Sequence, residues 1–368
     1  MKPVYHIKQM LCARAAQQRV PISGAFELTP RCNFRCKMCY IRQTPEKMAA
    51  VGRERTARQW LELGRQARDA GMIFLLLTGG EPFLRPDFGE IYEGLTKLGL
   101  SISINTNGSL LNDSLKELFR RLPPAMVNVT VYAASPQGYE TLCGSGAGYE
   151  KALQAMDFFR QLGVVVNMNT TITPWNAADY GPIWAVARSR NLSLRVTGYN
   201  FPPARGGCSP EYSRLEPEEV GRLLARDVLY TGGEGQLRQI AASLGTADEI
   251  SMCCTMEPGE GMACYAGKSQ FWVTWDGRMS PCGMLEEPVA DPFEAGFAPA
   301  WQQIAERTAQ ITLCPDCRDC EIKGTCTNCA AVTHAETGRF DGKPDYMCRL
   351  NLSYRKEIRR MANEELCQ

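Results

Sequence analysis

The sequence predicts an α/β fold in which a partial (β/α)6 TIM-like barrel is followed by a small cysteine-rich domain. Two observations indicate this architecture. Between residues 25 and 200, six runs rich in β-branched and aromatic residues alternate with helical patterns, as in a parallel sheet covered by helices. Between residues 253 and 348, ten of the seventeen cysteines occur in a stretch that is also rich in glycine and proline. Six βα units are fewer than the eight of a complete TIM barrel, so we expect an open barrel.

Each βα unit has its own local signal. The predicted strands are residues 25–28, 73–78, 101–105, 127–132, 164–171 and 192–199. One helix begins at Thr56, where Gln59 completes a capping box. Further helices begin near Asp87, Asn112, Gly148 and Asn176. In parallel barrels the chemistry lies at the carboxyl ends of the strands, so the loops that follow these strands are the expected site.

The chain divides into five predicted parts. These are an N-terminal extension (1–24), the barrel (25–215), a helical linker (216–252), a cysteine-rich domain (253–350) and a C-terminal helix or tail (351–368). Within the cysteine-rich domain, residues 271–279 form a predicted hairpin around Asp276-Gly277. A hairpin that stands alone buries little apolar surface, so we expect metal clusters to hold this domain together.

Charge and composition exclude several classes of partner. The net charge is +1 and the isoelectric point is about 7.4, which favours neither nucleic acid nor an anionic membrane. Residues 1–20 lack the apolar core of a signal peptide, and the longest apolar run, Met72–Leu77, is too short to span a bilayer. We therefore expect a cytoplasmic protein without membrane or nucleic-acid partners. Seventeen cysteines in such a chain indicate metal binding rather than disulfides.

A loop after the first strand carries three of these cysteines. Cys32, Cys36 and Cys39 have the spacing Cys-x3-Cys-x2-Cys. A [4Fe–4S] cluster normally takes four thiolates, so this loop predicts a cluster with one iron open to a small molecule.

A glycine-rich turn follows the second strand. In Thr78-Gly79-Gly80-Glu81-Pro82, two glycines allow close approach to the backbone, and the Glu81 carboxylate suits a positively charged amine. Taken alone, the segment is equally consistent with an ordinary strand-to-helix turn.

Together, the cysteine loop and the Gly-Gly-Glu-Pro segment resemble the two best-known motifs of the radical S-adenosylmethionine (SAM) superfamily. In that family, SAM binds the open iron and is cleaved to a 5′-deoxyadenosyl radical that abstracts a substrate hydrogen. The resemblance implies that Cys32, Cys36 and Cys39 hold the cluster. It also implies that the glycine motif contacts SAM, together with one residue after the third strand and one residue each on the fourth and sixth strands. The implied SAM-binding residues are Gly79, Gly80, Glu81, Asn107, Thr130 and Arg195.

The match to peptide-modifying members departs at two positions. Thr130 replaces a serine that is common on the fourth strand, and Cys143 lies near the place of an arginine. We interpret Cys143 as a buried thiol. Arg195 has an equally plausible interpretation as a solvated or packing arginine.

The C-terminal cysteines resemble the SPASM extension of this superfamily, which holds two auxiliary [4Fe–4S] clusters. The resemblance implies an outer cluster on Cys317, Cys320, Cys326 and Cys348. It implies an inner cluster on Cys264, Cys282 and Cys329, with Cys254 or Cys253 as its fourth ligand unless that iron is open. Cys314 is an extra thiol. The alternative for the region is a pair of zinc knuckles, because Cys-x2-Cys repeats also suit zinc.

These resemblances imply a SAM-dependent radical enzyme with three [4Fe–4S] clusters that oxidatively modifies a peptide or small protein. Thioether or carbon–carbon cross-linking is the expected type of product, with a flavodoxin- or ferredoxin-type protein as external reductant. The alternatives are a small-molecule dehydrogenase on the same scaffold, a sulfatase-type maturase and a non-catalytic iron–sulfur electron carrier. A sulfatase-type maturase is disfavoured because Gly283 follows Cys282 where an aspartate is expected. Cys208 lies in the segment after the last barrel strand. Loop cysteines without a neighbouring base usually have no catalytic role.

Overall fold

The structure is a computed structural model that describes residues 3–203, 213–244, 261–262, 264–317 and 320–365 of the chain. Cys208, Cys253 and Cys254 lie outside the described residues. The strands are β1 Ser23–Glu27, β2 Phe74–Thr78, β3 Ser101–Thr106, β4 Met126–Thr130, β5 Val165–Thr171, β6 Ser193–Thr197, β7 Gln270–Val273 and β8 Met279–Ser280. The helices are α1 Pro3–Gln18, α2 Pro45–Val51, α3 Ala57–Asp69, α4 Phe88–Lys97, α5 Asp113–Arg121, α6 Pro136–Cys143, α7 Gly148–Gln161, α8 Tyr180–Ser189, α9 Pro217–Ser243, α10 Phe297–Ala309, α11 Ala330–Thr337 and α12 Asp345–Glu365.

The first six strands form one parallel sheet. Its order is β6-β5-β4-β3-β2-β1, so each strand lies beside its neighbour in sequence. Helices α3, α4, α5, α7 and α8 connect successive strands, as right-handed crossovers in a parallel sheet require. The predicted α/β fold with a partial six-stranded barrel is confirmed.

The hairpin β7–β8 extends this sheet. Strand β7 pairs in parallel with the free edge of β1, with Ser23 opposite Gln270, and β8 pairs antiparallel with β7. The predicted turn is present, with Gly277 at φ +97°. The expectation that the hairpin stands alone was wrong, because the unpaired backbone groups of β1 supply a partner. The ring of Phe271 occupies the space beside Gly24, where a Cβ would lie 2.3 Å from it.

The two faces of the sheet differ in polarity. On the outer face Phe26 packs against Trp60 of α3, and Leu77, Ile104 and Val127 are fully buried on the following strands. Side chains alternate along each strand and the register is known, so the residues of the opposite, inner face can be identified. That face carries Glu27, Asn105, Asn128, Asn167 and Arg195. The barrel therefore has an apolar wall toward the helices and a polar interior.

Two long helices pack beside the barrel. Helices α9 and α12 bury a separate cluster that includes Val228, Leu237 and Ile358. The predicted capping box is present at the start of α3, where the Thr56 hydroxyl accepts from the Gln59 amide and the Gln59 side chain accepts in return. Within the described ranges, no helix combines the length and the apolar composition that a membrane crossing requires.

Candidate active site

The cysteine loop leaves β1 at the carboxyl end of the sheet. Its backbone is fixed by hydrogen bonds from the amides of Arg35 and Lys37 to the carbonyls of Cys143 and Leu142, at 2.8 and 3.0 Å. The amide of Cys39 donates to the carbonyl of Cys36 at 3.1 Å. The last residues of α6 therefore hold the loop on both sides of its middle cysteine.

Backbone and side-chain N–H groups point at the sulfurs of the loop. The amide of Phe34 lies 3.4 Å from Cys32 Sγ, and the amide of Arg42 lies 3.3 Å from Cys39 Sγ. The Asn107 side-chain amide lies 3.7 Å from Cys32 Sγ. Such donors stabilise thiolates, which are the form of cysteine that binds iron.

The three thiols are close enough to affect one another. Burial, together with repulsion from Glu81, Cys36 and Cys39, raises the pKa of Cys32 to about 12. Burial and repulsion from Cys36 raise the pKa of Cys39 to about 11. A hydrogen bond with Cys143 and then burial raise the pKa of Cys36 well above its usual range. The metal-free loop therefore holds three adjacent thiols that must lose protons when they bind metal.

The glycine motif after β2 packs directly on the start of this loop. The amides of Gly80 and Glu81 donate to the carbonyls of Thr29 and Arg31 at 2.7 and 2.9 Å. A Cβ on Gly79 would lie 2.5 Å from the Thr29 carbonyl oxygen, and one on Gly80 would lie 2.4 Å from that of Arg31. Both glycines are therefore required for the contact between the two motifs.

The Glu81 carboxylate is fully buried and faces the next strand. It accepts hydrogen bonds from the amides of Phe83 and Asn107 at 3.0 and 2.7 Å and from the Thr106 hydroxyl at 2.8 Å. Burial raises the pKa of Glu81 to about 7, although these hydrogen bonds act in the opposite direction. Three donors within the protein thus occupy the Glu81 carboxylate, and the contact of Glu81 with the SAM amino group stays a prediction.

Asn107 connects β3 to the cysteine loop. Besides its contact with Cys32, its side-chain amide donates to Asn33 Oδ1 at 3.0 Å, and its own oxygen accepts from the amide of Ser109 at 2.8 Å. Asn33 in turn donates to the Ser109 hydroxyl at 2.8 Å. The ribose contact of Asn107 stays a prediction. Asn33, its hydrogen-bond partner, was not predicted from the sequence as a residue of this site.

The remaining predicted SAM contacts lie on strands farther round the sheet. Thr130 is the last residue of β4, and Arg195 is an exposed residue in the middle of β6. Both belong to the inner face, because Asn169 of β5 lies opposite Thr130 on one side and Arg195 on the other. Their contacts with SAM stay predictions.

The inner face also carries polar groups that the sequence analysis missed. Glu27 is 1% exposed and accepts from Trp272 Nε1 at 3.2 Å. The side chain of Asn128 donates to Asn105 Oδ1 at 2.7 Å and accepts from Asn167 at 2.9 Å, so three strands share a row of amides. The available signal was a polar residue inside each strand, but only the strand register identifies the shared face.

Comparisons with known proteins agree with this geometry. Residues 26–181 match the radical SAM superfamily, and this segment contains the end of β1, the cysteine loop, the glycine motif and strands β2 to β5. Residues 26–181 are a radical SAM domain. The function predicted from its two motifs, that of a radical SAM enzyme, is thereby confirmed.

Similarity extends beyond the radical SAM domain. The chain is 25% identical to the AdoMet-dependent heme synthase of Methanosarcina barkeri, over 88% of this chain and 95% of that protein. It is 21% identical to the antilisterial bacteriocin subtilosin biosynthesis protein AlbA of Bacillus subtilis, over 84% of this chain and 69% of that one. The structure of anSMEcpe with bound AdoMet and Cp18Cys peptide superposes with a TM-score of 0.69 at 15% identity, covering 93% of this chain and 99% of that one. The similarity therefore includes the C-terminal region, in agreement with the predicted radical SAM enzyme of the SPASM type.

The C-terminal cysteines of this radical SAM enzyme form two groups. The backbone amide of Cys317 donates to the carbonyl of Cys314 at 3.2 Å, and the Cys317 thiol interacts electrostatically with Cys314, Cys326 and Cys348. Cys320 interacts with Cys326 and Cys348. The four predicted outer ligands are thus brought together, with Cys314 as a fifth thiol. Burial is the main cause that raises the pKa of Cys317 to about 12.

The second group surrounds a small apolar cluster. Cys264, Cys282 and Cys329 all pack against the residues that include Met262, Leu285 and Ala330, and Cys264 interacts electrostatically with Cys329. The predicted fourth ligand, Cys254, and its alternative, Cys253, are among the residues that the structure does not describe.

The donor chemistry fits iron–sulfur clusters at the cysteine loop. That loop combines three neighbouring thiols with N–H donors directed at two of their sulfurs. Among the described residues, no three thiol, imidazole or carboxylate groups converge closely enough to hold a single metal ion. Three neighbouring thiolates are the ligand type that iron–sulfur clusters take.

Proposed function

We propose that this radical SAM enzyme oxidatively modifies a peptide or protein substrate, by a thioether or carbon–carbon cross-link or a related change. The observation that carries the proposal is the similarity along most of the chain to AlbA, whose name assigns it to the biosynthesis of a bacteriocin. The fold shared with a peptide-bound structure is consistent with it. The amides of Asn105, Asn128 and Asn167 on the inner face offer the same donors and acceptors as a peptide backbone.

The proposed cofactors are SAM, its [4Fe–4S] cluster and two auxiliary [4Fe–4S] clusters. Cys32, Cys36 and Cys39 would hold the first cluster. Cys317, Cys320, Cys326 and Cys348 would hold the outer auxiliary cluster, and Cys264, Cys282 and Cys329 with Cys254 the inner one. When bound, SAM and its cluster would supply the radical that abstracts a substrate hydrogen, and an auxiliary cluster would accept the departing electron.

Oxidation of a substrate C–H bond also releases a proton, which needs an acceptor. Glu27 has the position for this role, because it lies on the inner face as the last residue of β1, the strand that leads into the cysteine loop. Its carboxylate is held by Trp272 of the β7–β8 hairpin. We therefore assign Glu27 as the proton acceptor of the proposed reaction.

The proposed external reductant is an acidic one-electron carrier of the flavodoxin or ferredoxin type. Between residues 31 and 58 the chain has eight Lys or Arg residues and two carboxylates, whereas the whole chain has a net charge of +1. Arg35, Arg53 and Arg58 are exposed on this segment. A basic surface beside the cysteine loop attracts an acidic partner and speeds its association.

A small-molecule substrate is the second candidate. The similarity to the heme synthase of Methanosarcina barkeri favours it, because the alignment covers 95% of that protein. The two candidates differ in the molecule that is altered when SAM is cleaved, which is a peptide in the first and a small molecule in the second.

The test is anaerobic reconstitution with iron and sulfide, followed by SAM and dithionite. We expect 5′-deoxyadenosine to form, and a peptide encoded by a neighbouring short reading frame to lose two hydrogen atoms in mass spectrometry. As a control, the Cys12→Ala variant should behave like the wild type, because this buried thiol lies on α1 outside the three cysteine groups. Absence of 5′-deoxyadenosine would contradict SAM chemistry. Formation of 5′-deoxyadenosine with an unchanged peptide and an altered small-molecule precursor of heme would favour the second candidate.

A further inference from the structure

One lysine extends from the cysteine loop toward the end of a neighbouring strand. Lys37 directly follows the middle cysteine, and its backbone amide donates to the carbonyl of Leu142, the last residue but one of α6, at 3.0 Å. The Lys37 ammonium lies 5.4 Å from the centre of the Trp175 ring, within the range of a cation–π interaction. Lys37 therefore lies between the end of α6 and the segment that follows β5.

The segment that carries Trp175 is attached to the ends of two strands. The side-chain oxygen of the buried Asn176 accepts from the Thr173 amide at 2.7 Å. The side-chain amide of Asn176 donates to the carbonyls of Tyr132 and Thr171 at 2.8 and 2.9 Å. Thr171 is the last residue of β5, and Tyr132 follows β4. The aromatic partner of Lys37 is therefore fixed at the carboxyl end of the barrel, where the cysteine loop and the glycine motif also lie.

Lys37 and the glycine motif contact different parts of the cysteine loop. The glycine motif donates to the carbonyls of Thr29 and Arg31, just before the first cysteine, whereas Lys37 follows the second. SAM has an amino group and a carboxylate on the same carbon atom. Hydrogen-bond acceptors suit the amino group, whereas the carboxylate needs a cation or N–H donors. With the amino group assigned to the glycine motif, the carboxylate still needs a partner of its own.

The other cations near the start of the loop are directed elsewhere. Between its first and last cysteines the loop has two cations, Arg35 and Lys37. Arg35 is exposed, and its Cβ lies close to Gly144, past the end of α6. Arg31, just before the loop, donates from Nε and Nη2 to both carboxylate oxygens of Glu54, at 2.8 Å each. Lys37 is therefore the cation between the loop cysteines whose ammonium lies beside a residue at the carboxyl ends of the strands.

We propose that Lys37 binds the carboxylate of SAM; the inference rests on the proposed function. A lysine has three N–H donors on a flexible stem, so a carboxylate and the Trp175 ring can both contact the same ammonium. Peptide-modifying members have an arginine near the place of the buried Cys143, and the Lys37 amide is hydrogen-bonded to the residue before it. Lys37 thereby supplies a positive charge where this chain lacks that arginine. A hydrogen bond between charged groups strengthens binding by about 10- to 100-fold.

The test is anaerobic calorimetry of the reconstituted full-length enzyme with SAM and with decarboxylated SAM, which lacks only the carboxylate. The cluster is kept oxidised, so that SAM binds without being cleaved. We expect Lys37→Gln to weaken SAM binding by about 10- to 100-fold and to leave the binding of decarboxylated SAM unchanged. Lys37→Arg, which keeps the charge, should lose much less affinity for SAM. Lys97→Gln, at an exposed lysine on α4, should equal the wild type with both ligands.

Other outcomes overturn the inference in distinguishable ways. Unchanged SAM affinity in Lys37→Gln would exclude the contact, and an equal loss with both ligands would indicate a disturbed loop instead. A selective loss in Arg195→Gln but not in Lys37→Gln would assign the carboxylate to Arg195 on β6. Loss of iron in both Lys37→Gln and Lys37→Arg would make Lys37 a structural residue of the loop. A wild-type enzyme that takes up iron but binds no SAM would refute the proposed function together with this inference.

Discussion

The Glu81 carboxylate, which follows β2, accepts a hydrogen bond of 2.7 Å from the backbone amide of Asn107, which follows β3. Asn107 in turn reaches the cysteine loop through Asn33 and the sulfur of Cys32. A single buried carboxylate therefore joins the ends of two strands to the loop that follows a third. Its protonation and its packing lead to the first two predictions.

Glu81 makes the metal-free protein less stable as the pH rises. The folded protein keeps the Glu81 proton up to a pKa of about 7, whereas the unfolded chain releases it near the ordinary value of 4.5. Between these values the folded state binds more protons, so the free energy of unfolding falls with rising pH, by about 3 kcal/mol for this group. Urea unfolding at several pH values should show this fall in the wild type and a weaker one in Glu81→Gln. Parallel pH dependences would contradict the raised pKa.

Gly80→Ala should separate the glycine motif from the cysteine loop. The new Cβ would lie 2.4 Å from the Arg31 carbonyl oxygen, and relief of that contact must displace the backbone that enters the loop. We expect a loss of about 1–3 kcal/mol in unfolding free energy and reduced iron uptake at the loop. Gly52→Ala is the matched control, because nothing lies within 4 Å of its Cβ position. Equal iron content in the two variants would show that the loop tolerates the displacement.

Glu27→Gln should uncouple SAM cleavage from product formation. The amide keeps the shape of the side chain but cannot accept the substrate proton, so the product formed per 5′-deoxyadenosine should fall by about 100-fold or more. Trp272→Phe, which removes only the indole donor to Glu27, should have a much smaller effect. The ratio is measured by chromatography of both products in one reaction. An unchanged ratio in Glu27→Gln would exclude Glu27 as the proton acceptor.

Five thiols compete for four positions in the outer cysteine group. Cys314 is buried, and its carbonyl accepts a hydrogen bond from the backbone amide of Cys317, whereas the Cys348 thiol interacts with Cys320 and Cys326. We expect Cys314→Ala to keep the full iron content and Cys348→Ala to lose the iron of one cluster. Iron and sulfide analysis with electron paramagnetic resonance measures both. The reverse pattern would assign Cys314 as the ligand in place of Cys348.

Local signals predicted most of the fold. The strands are runs of apolar residues, the start of α3 has a complete capping box, and the turn at Asp276-Gly277 forms as expected. These features depend on residues near one another in the sequence. The pairing of β7 with β1 joins residues about 250 positions apart, and no short pattern encodes it.

The site was predictable where its chemistry depends on spacing. The cysteine loop and the glycine motif have fixed spacings, and their contact is present in the structure. The hydrogen bonds from the cysteine loop to the carbonyls of Leu142 and Cys143 depend on where α6 ends. The row of amides on the inner face depends on the register of three strands. Both are consequences of tertiary packing, so a reading of single segments misses them.

Strand β1 is paired on one edge with β2 of the barrel and on the other with β7 of the cysteine-rich region. Only four residues separate the end of this strand from Cys32. The barrel and the cysteine-rich region are thus not interchangeable modules. Removal of the cysteine-rich region would leave the backbone groups on one edge of β1 unpaired and able to pair with another chain. Exchange of C-terminal regions between relatives should succeed only when the incoming hairpin fits the β1 edge that it must cover, including the glycine at position 24 that faces Phe271.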